Sequence, residues 1–558
     1  MTINLPQGIL TLTLWAGLMP CLPQSVLPVF SDVTHESGIN FQYTFGDDSY
    51  ENIMESSGAG ISILDYDLDG NYDIYLLNGT YLEGISDPVG KNNARATNKL
   101  YRNNGNGTFT DVTVKSGLVN TQWSMAAGVY DFDFDGDPDI YLANYGPNVF
   151  YLNNGDGTFT DITSKLGLAG PATLNGFPKW SVSIGFIDYN RDHLTDILVG
   201  NFLAFDPAIR SSPDPSVMPH PADYKGQATM LYRQNKNGTF SDVTADAGLL
   251  YPESKCMGLT ISDLDGDSDL DIFQSNDHQP NFLFFNEGER FREAGILNGV
   301  AVNSEGSATG SMHGTLGDVN GDGFMDILVT DLEYGSLYQN TGPGMFKDVT
   351  ITSGIAAHFK GKGGWAAALS DFDNDGDLDI FSANGTAEEL ILQPPLLLEN
   401  TGKGRFTNSP TLWGDYFTGK HSGRGAAVVD FDNDGDLDII ISHVDPGSSA
   451  TLLKNSTDRK NHWLGLHLLS PEDGSCTIGA EITLISGDLK LTRIHQPSTG
   501  YLSYSDPRIH FGLGSHQQID KIKVNWPDGT EENITNITGD KYLAIEKGKG
   551  IVQIYTGK

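Results

Sequence analysis

Apolar and polar positions in this chain alternate in short bursts, and apolar stripes of helical period are scarce. "GAGISIL" (Gly58–Leu64), "DIYLLN" (Asp73–Asn78), "GAAVV" (Gly425–Val429) and "DIIISH" (Asp438–His443) each have the length and residue types of one strand. A second pattern reads strand, Asn/Gly-rich turn, strand. It ends at Thr113 in "LYRNNGNGTFTDVT", at Thr163 in "FYLNNGDGTFTDIT", at Thr244 in "LYRQNKNGTFSDVT" and at Thr350 in "LYQNTGPGMFKDVT". "FLFFNEGERFREA" and "LLLENTGKGRFTN" are degraded versions of the same hairpin.

The bursts are ordered by a recurring acidic loop, for which the exact repeat "DFDNDGDLDI" at Asp371–Ile380 and Asp430–Ile439 is the reference. Looser copies start at Asp65, Asp131, Asp188, Asp263 and Asp318, so successive loops are 66, 57, 75, 55, 53 and 59 residues apart. Each unit predicts four strands: one before the loop, one after it, and the hairpin. That period and strand count predict an all-β fold, a seven-bladed β-propeller. "VFSDVT" (Val29–Thr34) is a fourth strand without a hairpin partner, and "TLLKN" (Thr451–Asn455) is a third strand without a fourth. The N-terminal strand is therefore expected to complete the last blade and close the ring.

Two columns follow the period. Five positions before each loop stand Gly60, Ala126, Ser183, Gly258, His313, Ala366 and Gly425, small except for His313 and suited to strands crowding a central axis. Thirteen positions after each loop start stand Asn78, Asn144, Asn201, Asn276, Asp331, Asn384 and His443, which predicts a left-handed or turn conformation and a polar rim. The 75-residue interval holds a Pro-rich insertion, "FDPAIRSSPDPSVMPHPADYKG", the leading candidate for a partner-binding element.

Charge changes the picture. The net charge is −38, and thirty of the 72 acidic residues lie in the seven loops. Like charges at that spacing repel unless a cation sits among them. Oxygen-bearing side chains at positions 1, 3, 5 and 9, with a backbone carbonyl at position 7, can wrap one Ca²⁺. The candidate ligands are Asp65, Asp67, Asp69, Asn71 and Asp73 in the first loop, then Asp131, Asp133, Asp135, Asp137 and Asp139. The third loop offers Asp188, Asn190, Asp192, Leu194 and Asp196, and the fourth Asp263, Asp265, Asp267, Asp269 and Asp271. The fifth offers Asp318, Asn320, Asp322, Phe324 and Asp326. The last two offer Asp371, Asp373, Asp375, Asp377 and Asp379, and Asp430, Asp432, Asp434, Asp436 and Asp438. Up to seven structural Ca²⁺ ions are expected, with the sixth and seventh loops binding best. The third, with Asn190 at position 3 and His193 where glycine is expected, is the weakest. The EF-hand is excluded, because its position-12 glutamate is absent: Leu76 and Ala383 stand there. Such acidity also makes nucleic acid a poor partner.

Residues 1–27 carry an apolar run from Ile9 to Met19 and read as a secretory signal, although no Lys or Arg precedes the run. No later stretch has the ~20 apolar residues that span a bilayer. Cys21, Cys256 and Cys476 form neither a disulfide framework nor a zinc spacing.

With both motifs in view, residues 29–455 resemble the FG-GAP/VCBS-type repeats of calcium-binding seven-bladed propellers. "NHWLGLHLL", "GAEITL", "GYLSYSDPRIHFGLG" and "VNWPDGT" in the tail resemble an ASPIC/UnbV domain. The combination is similar to the cartilage acidic protein family and its bacterial relatives, without the cysteine-rich EGF-like module of vertebrate members. Read without the family, residues 461–558 alternate as a small antiparallel β domain, in which Arg508 and His510 lack a partnered nucleophile or base. The expected domains are a signal peptide (1–27), the propeller (28–455) and the ASPIC/UnbV-like domain (456–558). The resemblance implies a secreted, calcium-binding protein, extracellular or, in a bacterium, periplasmic or on the cell surface. It would act as a binding or adhesion platform for protein or glycan partners. The alternative is an extracellular carbohydrate-active lyase or hydrolase on the propeller face, against which no catalytic motif stands out.

Overall fold

The computed structural model describes residues 29–556 apart from 48, 89–90, 92–96, 211–217, 333, 458–460, 470–473 and 475. The signal-like segment and Cys21 lie outside the described residues.

Seven four-stranded antiparallel units follow the predicted order. In the second unit, Ser124–Tyr130 pairs with Asp139–Asn144, then Val149–Asn153, then Phe159–Asp161. The seventh is completed by Phe30–Asp32, which pairs with Thr451–Asn455 in the register Phe30↔Asn455 to Asp32↔Leu453. The first strands touch in a cycle, each the next and the seventh the first, so the ring closes. Alternate residues on both faces of these strands are buried, and the aromatic core runs from blade to blade.

The "DVT" hairpin ends repeat one staple. Asp111 Oδ1 accepts from Thr113 N (3.0 Å) and Oγ1 (2.6 Å), while Thr113 Oγ1 accepts from Leu100 N at 2.9 Å. Asp32 and Thr34 make the same contacts, with Leu452 N as the donor at 2.8 Å. The N-terminal strand thus closes the ring with the chemistry of the other "DVT" or "DIT" hairpins; the degraded fourth and sixth, ending in Glu293 and Asn408, lack the threonine.

Residues 462–556 form two four-stranded sheets around a second apolar core. The pairings are antiparallel except that His462–Leu469 runs parallel to Lys541–Glu546. This unit lies on the face of the ring that carries the acidic loops. Its segment from Pro497 to Ser505 fills the central channel. Ser503–Tyr504 adds a fifth, parallel strand to blade 1 opposite Ile61–Ser62. Tyr504 Oη donates to the Ile184 carbonyl of blade 3 at 2.9 Å, and Tyr501 meets Trp365 of blade 6 with ring centroids 4.9 Å apart. Ser505 Oγ accepts from Val428 N of blade 7 at 3.0 Å. The small-residue column forms the socket for this plug: a Cβ on Gly60 would lie 2.6 Å from the Leu502 carbonyl oxygen. His313, in the same column, is buried against Gly258, and burial lowers its pKa to about 4.

The second column departs from expectation. Its asparagines are buried and none has positive φ. Instead, Nδ2 of Asn144, Asn276 and Asn384 donates to the Pro147, Pro280 and Pro394 carbonyls that lead into the third strand. A side-chain tie across the turn satisfies what a left-handed residue would have done.

Candidate metal centres

The seven acidic loops share one wiring diagram, built almost wholly from their own backbone. The position-1 carboxylate accepts from the amide of position 6, as Asp65 does from Gly70 N (2.9 Å) and Asp371 from Gly376 N (2.9 Å). Position 5 accepts from the amide of position 7: Asp69 from Asn71 N at 2.9 Å, Asp434 from Asp436 N at 3.0 Å. Position 9 uses both oxygens. Asp73 takes Tyr66 N (3.1 Å) on one and Asn103 N of the third strand (2.7 Å) on the other. Positions 4 and 6 both turn left-handed, at φ 55° for Leu68 and 83° for Gly70. Gly266 at position 4 of the fourth loop therefore answers a real need, while Ser268 and His193 hold position 6 at φ 74° and 64° against their side chains.

The third strand supplies a further tie that sequence inspection missed. The residue whose amide bonds position 9 is Asn103, Asn153, Gln234, Asn286, Asn340, Asn400 or Asn455. In six blades its Nδ2 reaches the position-2 carbonyl of the preceding loop, as Asn153 does to Tyr66 O (3.0 Å) and Asn455 to Phe372 O (2.8 Å). Adjacent blades are thus joined at each loop. The column was visible in the "LYRNN" hairpins, but its partners lie in another unit.

Five loops bring three carboxylates within reach of one ion: Asp65, Asp67 and Asp73; Asp131, Asp133 and Asp135; Asp263, Asp265 and Asp271; Asp371, Asp373 and Asp375; and Asp430, Asp432 and Asp438. The same five hold buried carboxylate oxygens without a hydrogen-bond partner, on Asp67, Asp131, Asp137, Asp269, Asp373 and Asp432. Burial and mutual repulsion push Asp373 up to about 9, and burial pushes Asp371 up to about 7. A divalent cation removes both penalties at once, and in the first, second, sixth and seventh loops an orphaned oxygen belongs to one of the clustered carboxylates, as a Ca²⁺ site requires. Basic side chains lean on two clusters from outside: Arg102 on Asp67 and Asp69 (2.6 Å each), and Lys454 on Asp432.

The third and fifth loops differ at position 3. Asn190 and Asn320 turn their amide nitrogens onto Asp192 and Asp322, at 3.2 and 2.9 Å. An N–H donor stands where the first, sixth and seventh loops leave an orphaned oxygen. The sequence marked the third loop as doubtful; Asn320 carries the same signal in the fifth.

Asp331 lies just past the second strand of the fifth blade, and His443 ends that of the seventh. Both are buried, and His443 Nε2 contacts Thr451 Oγ1 of its own blade at 3.1 Å. The described part of the insertion meets blade 4 at His220 and Pro221, where the rings of His220 and His278 lie 4.1 Å apart and Lys255 Nζ donates to the Pro221 carbonyl at 2.6 Å.

Comparison with known proteins agrees with this architecture. A family model described as FG-GAP-like repeat matches residues 65–142, 131–199, 263–329, 318–382 and 385–441, and one described as ASPIC and UnbV matches 473–552. Cartilage acidic protein 1 of Xenopus tropicalis is 30% identical over 310 residues, 52% of this chain and 44% of that protein. The human protein of that name is 28% identical over 326 residues, 55% and 46% of the two chains. The match thus spans less than half the length of these curated relatives. A solved Agrocybe aegerita lectin, described as recognising non-reducing terminal N-acetylglucosamine, aligns at TM-score 0.40 and 17% identity over 64% of this chain and 88% of that one. At that level the fold rests on the strand pairing, not on the likeness.

Proposed function

The chain belongs to the FG-GAP-like repeat family and carries an ASPIC and UnbV domain, and on that premise we propose that it is an exported, Ca²⁺-fastened binding platform for an extracellular protein or glycan. In this reading the ions are structural. They hold the first, second, fourth, sixth and seventh loops, where the orphaned oxygens are, and the third and fifth loops fasten their blades without one.

The observation that carries the platform reading is the position of the C-terminal domain. It covers the acidic-loop face and fills the channel from that side, so the opposite rim is the face left for a partner. That rim carries the described part of the insertion and the strand ends at Asn276 and Val329, with His278 and Asp331 just beyond them.

The reading is tested by screening the calcium-loaded full chain against glycan and protein arrays, beside variants of the two faces. Binding lost in His220→Ala with Lys225→Glu, and retained in the acidic-face variant Lys549→Glu, supports it. Binding lost only in Lys549→Glu would place the partner elsewhere and overturn it.

A further inference from the structure

The sixth and seventh loops are the exact repeats, and they are also the two that the C-terminal domain grips. Asp371 Oδ2 accepts from Gly512 N at 3.1 Å, and Asp430 Oδ2 from the Tyr542 hydroxyl. Position 4 is Asn in both. Asn374 Oδ1 meets His510 Nε2 at 2.6 Å and its carbonyl accepts from Gly514 N at 2.8 Å. Asn433 Oδ1 accepts from Arg508 Nη1 at 2.6 Å, and the Asp430 carbonyl from Nη2 at 2.9 Å. The Gly376 carbonyl accepts from Arg493 at 2.9 Å, and a Cβ on Gly435 would lie 1.9 Å from the Trp463 ring.

Arg508 has no slack. It pairs with Asp506 and is held between the rings of Tyr72 and Tyr542, 4.2 and 4.1 Å from their centroids. Every acceptor in this grip belongs to a loop whose course is set by carboxylates converging on one point. In the sixth loop that point is marked by Asp373, 3% exposed, whose Oδ2 has no partner.

At the first and second loops the C-terminal domain touches Tyr72 and Phe134 but, among the described residues, makes no hydrogen bond to the position-1 carboxylate. Asp65 and Asp131 accept from the amides of their own loops and border a cavity of about 400 Å³ shared with Leu468 and Pro507 of the C-terminal domain.

We propose that the sixth and seventh loops are two-domain cation sites. The propeller supplies the ligands, and Gly512 and Tyr542 are positioning residues that fix the position-1 carboxylates. Ion loading and seating of the C-terminal domain are therefore coupled in both directions. This rests on the reading of the loops as cation sites. When the ion leaves, the repelling carboxylates separate, and the donors of the C-terminal domain lose their aligned acceptors. Conversely, a seated domain holds those carboxylates in place before the ion arrives, which raises the affinity of these two loops over the first and second.

The test uses the full chain with calcium itself as the probe, by calorimetric titration and by hydrogen exchange of the 500–514 amides. Tyr542→Phe removes one hydroxyl and keeps the ring. It is expected to weaken one calcium site about tenfold or more while the others keep their affinity. In saturating calcium, Asp432→Asn is expected to speed exchange across 500–514, and Asp67→Asn is not. Unchanged affinities in Tyr542→Phe, or equal exchange in Asp67→Asn and Asp432→Asn, overturn the coupling and leave the cation reading standing. No calcium heat from the unaltered chain overturns both.

Discussion

Lys179 is fully buried, and its ammonium donates only to Asn148 Oδ1 (2.7 Å) and Ser181 Oγ (2.8 Å) among the described residues. Burial alone lowers its pKa from 10.5 to about 7. The unfolded chain therefore holds this proton more tightly than the folded one. Stability rises with pH between about 7 and 10.5, and below 7 the cost of the buried charge is fully present. Replacing it by methionine removes that cost, while Asn148 Oδ1 keeps its donor from Asn144 N at 3.1 Å. Lys179→Met is expected to gain about 1–4 kcal/mol at pH 6 in denaturant melts, with the gain shrinking towards pH 10. A gain of equal size at both pH values would assign the effect to packing rather than to charge.

Between blades, the recurrent element is the asparagine at the end of the third strand, and blade 3 breaks it. Gln234 makes the backbone bond to Asp196 at 2.8 Å, but its side-chain oxygen is buried without a partner. Its side chain, one methylene longer, makes no bond to the Phe132 carbonyl, the acceptor that the pattern of the other six blades assigns to it. Gln234→Asn is expected to restore the tie and raise stability by about 1 kcal/mol, read as a shifted midpoint at constant m-value. A lower midpoint would show that the longer side chain fills space that asparagine leaves empty. This tie also shows where sequence legibility stops. Strands, hairpins, blade number and ring closure follow from local periodicity, since each depends on residues within one unit or on the unmatched "VFSDVT" and "TLLKN". The inter-blade bonds join positions such as Asn455 and Phe372, 83 residues apart, and no local pattern announces them. Arg508 and His510 looked unpartnered for the same reason. Apart from Asp506, the side chains they hydrogen-bond, Asn433 and Asn374, lie 75 and 136 residues away in the other domain. The channel plug was hidden because Tyr501, Leu502 and Tyr504 read as ordinary strand residues of their own domain until an empty channel stands beside them.

At the scale of the whole molecule the ring concentrates charge at one face. The net charge is −38, and the C-terminal domain buries part of the carboxylate-bearing surface. Five divalent ions would offset ten of those charges, and in the sixth and seventh loops they would do so at largely buried positions where screening by bulk salt is weak. An ion that binds only the folded state at a thousand times its Kd adds about 4 kcal/mol, so even two or three loaded loops match the whole stability of an ordinary domain. Chelation is therefore expected to lower the melting temperature by well over 10 °C, and calcium added back should raise it steadily with the logarithm of its concentration. Salt separates the two sources of repulsion. Raising NaCl to ~0.5 M shortens the Debye length to a few ångströms and relieves repulsion between exposed carboxylates, yet it cannot replace a ligand-bound ion in a buried cluster. It should recover a small part of the loss in the chelated protein and change the loaded protein little. Identical melting curves with and without chelator would show that the loops hold their turns by hydrogen bonds alone. Full recovery by salt would show that the acidic face needs counterions but no bound cation.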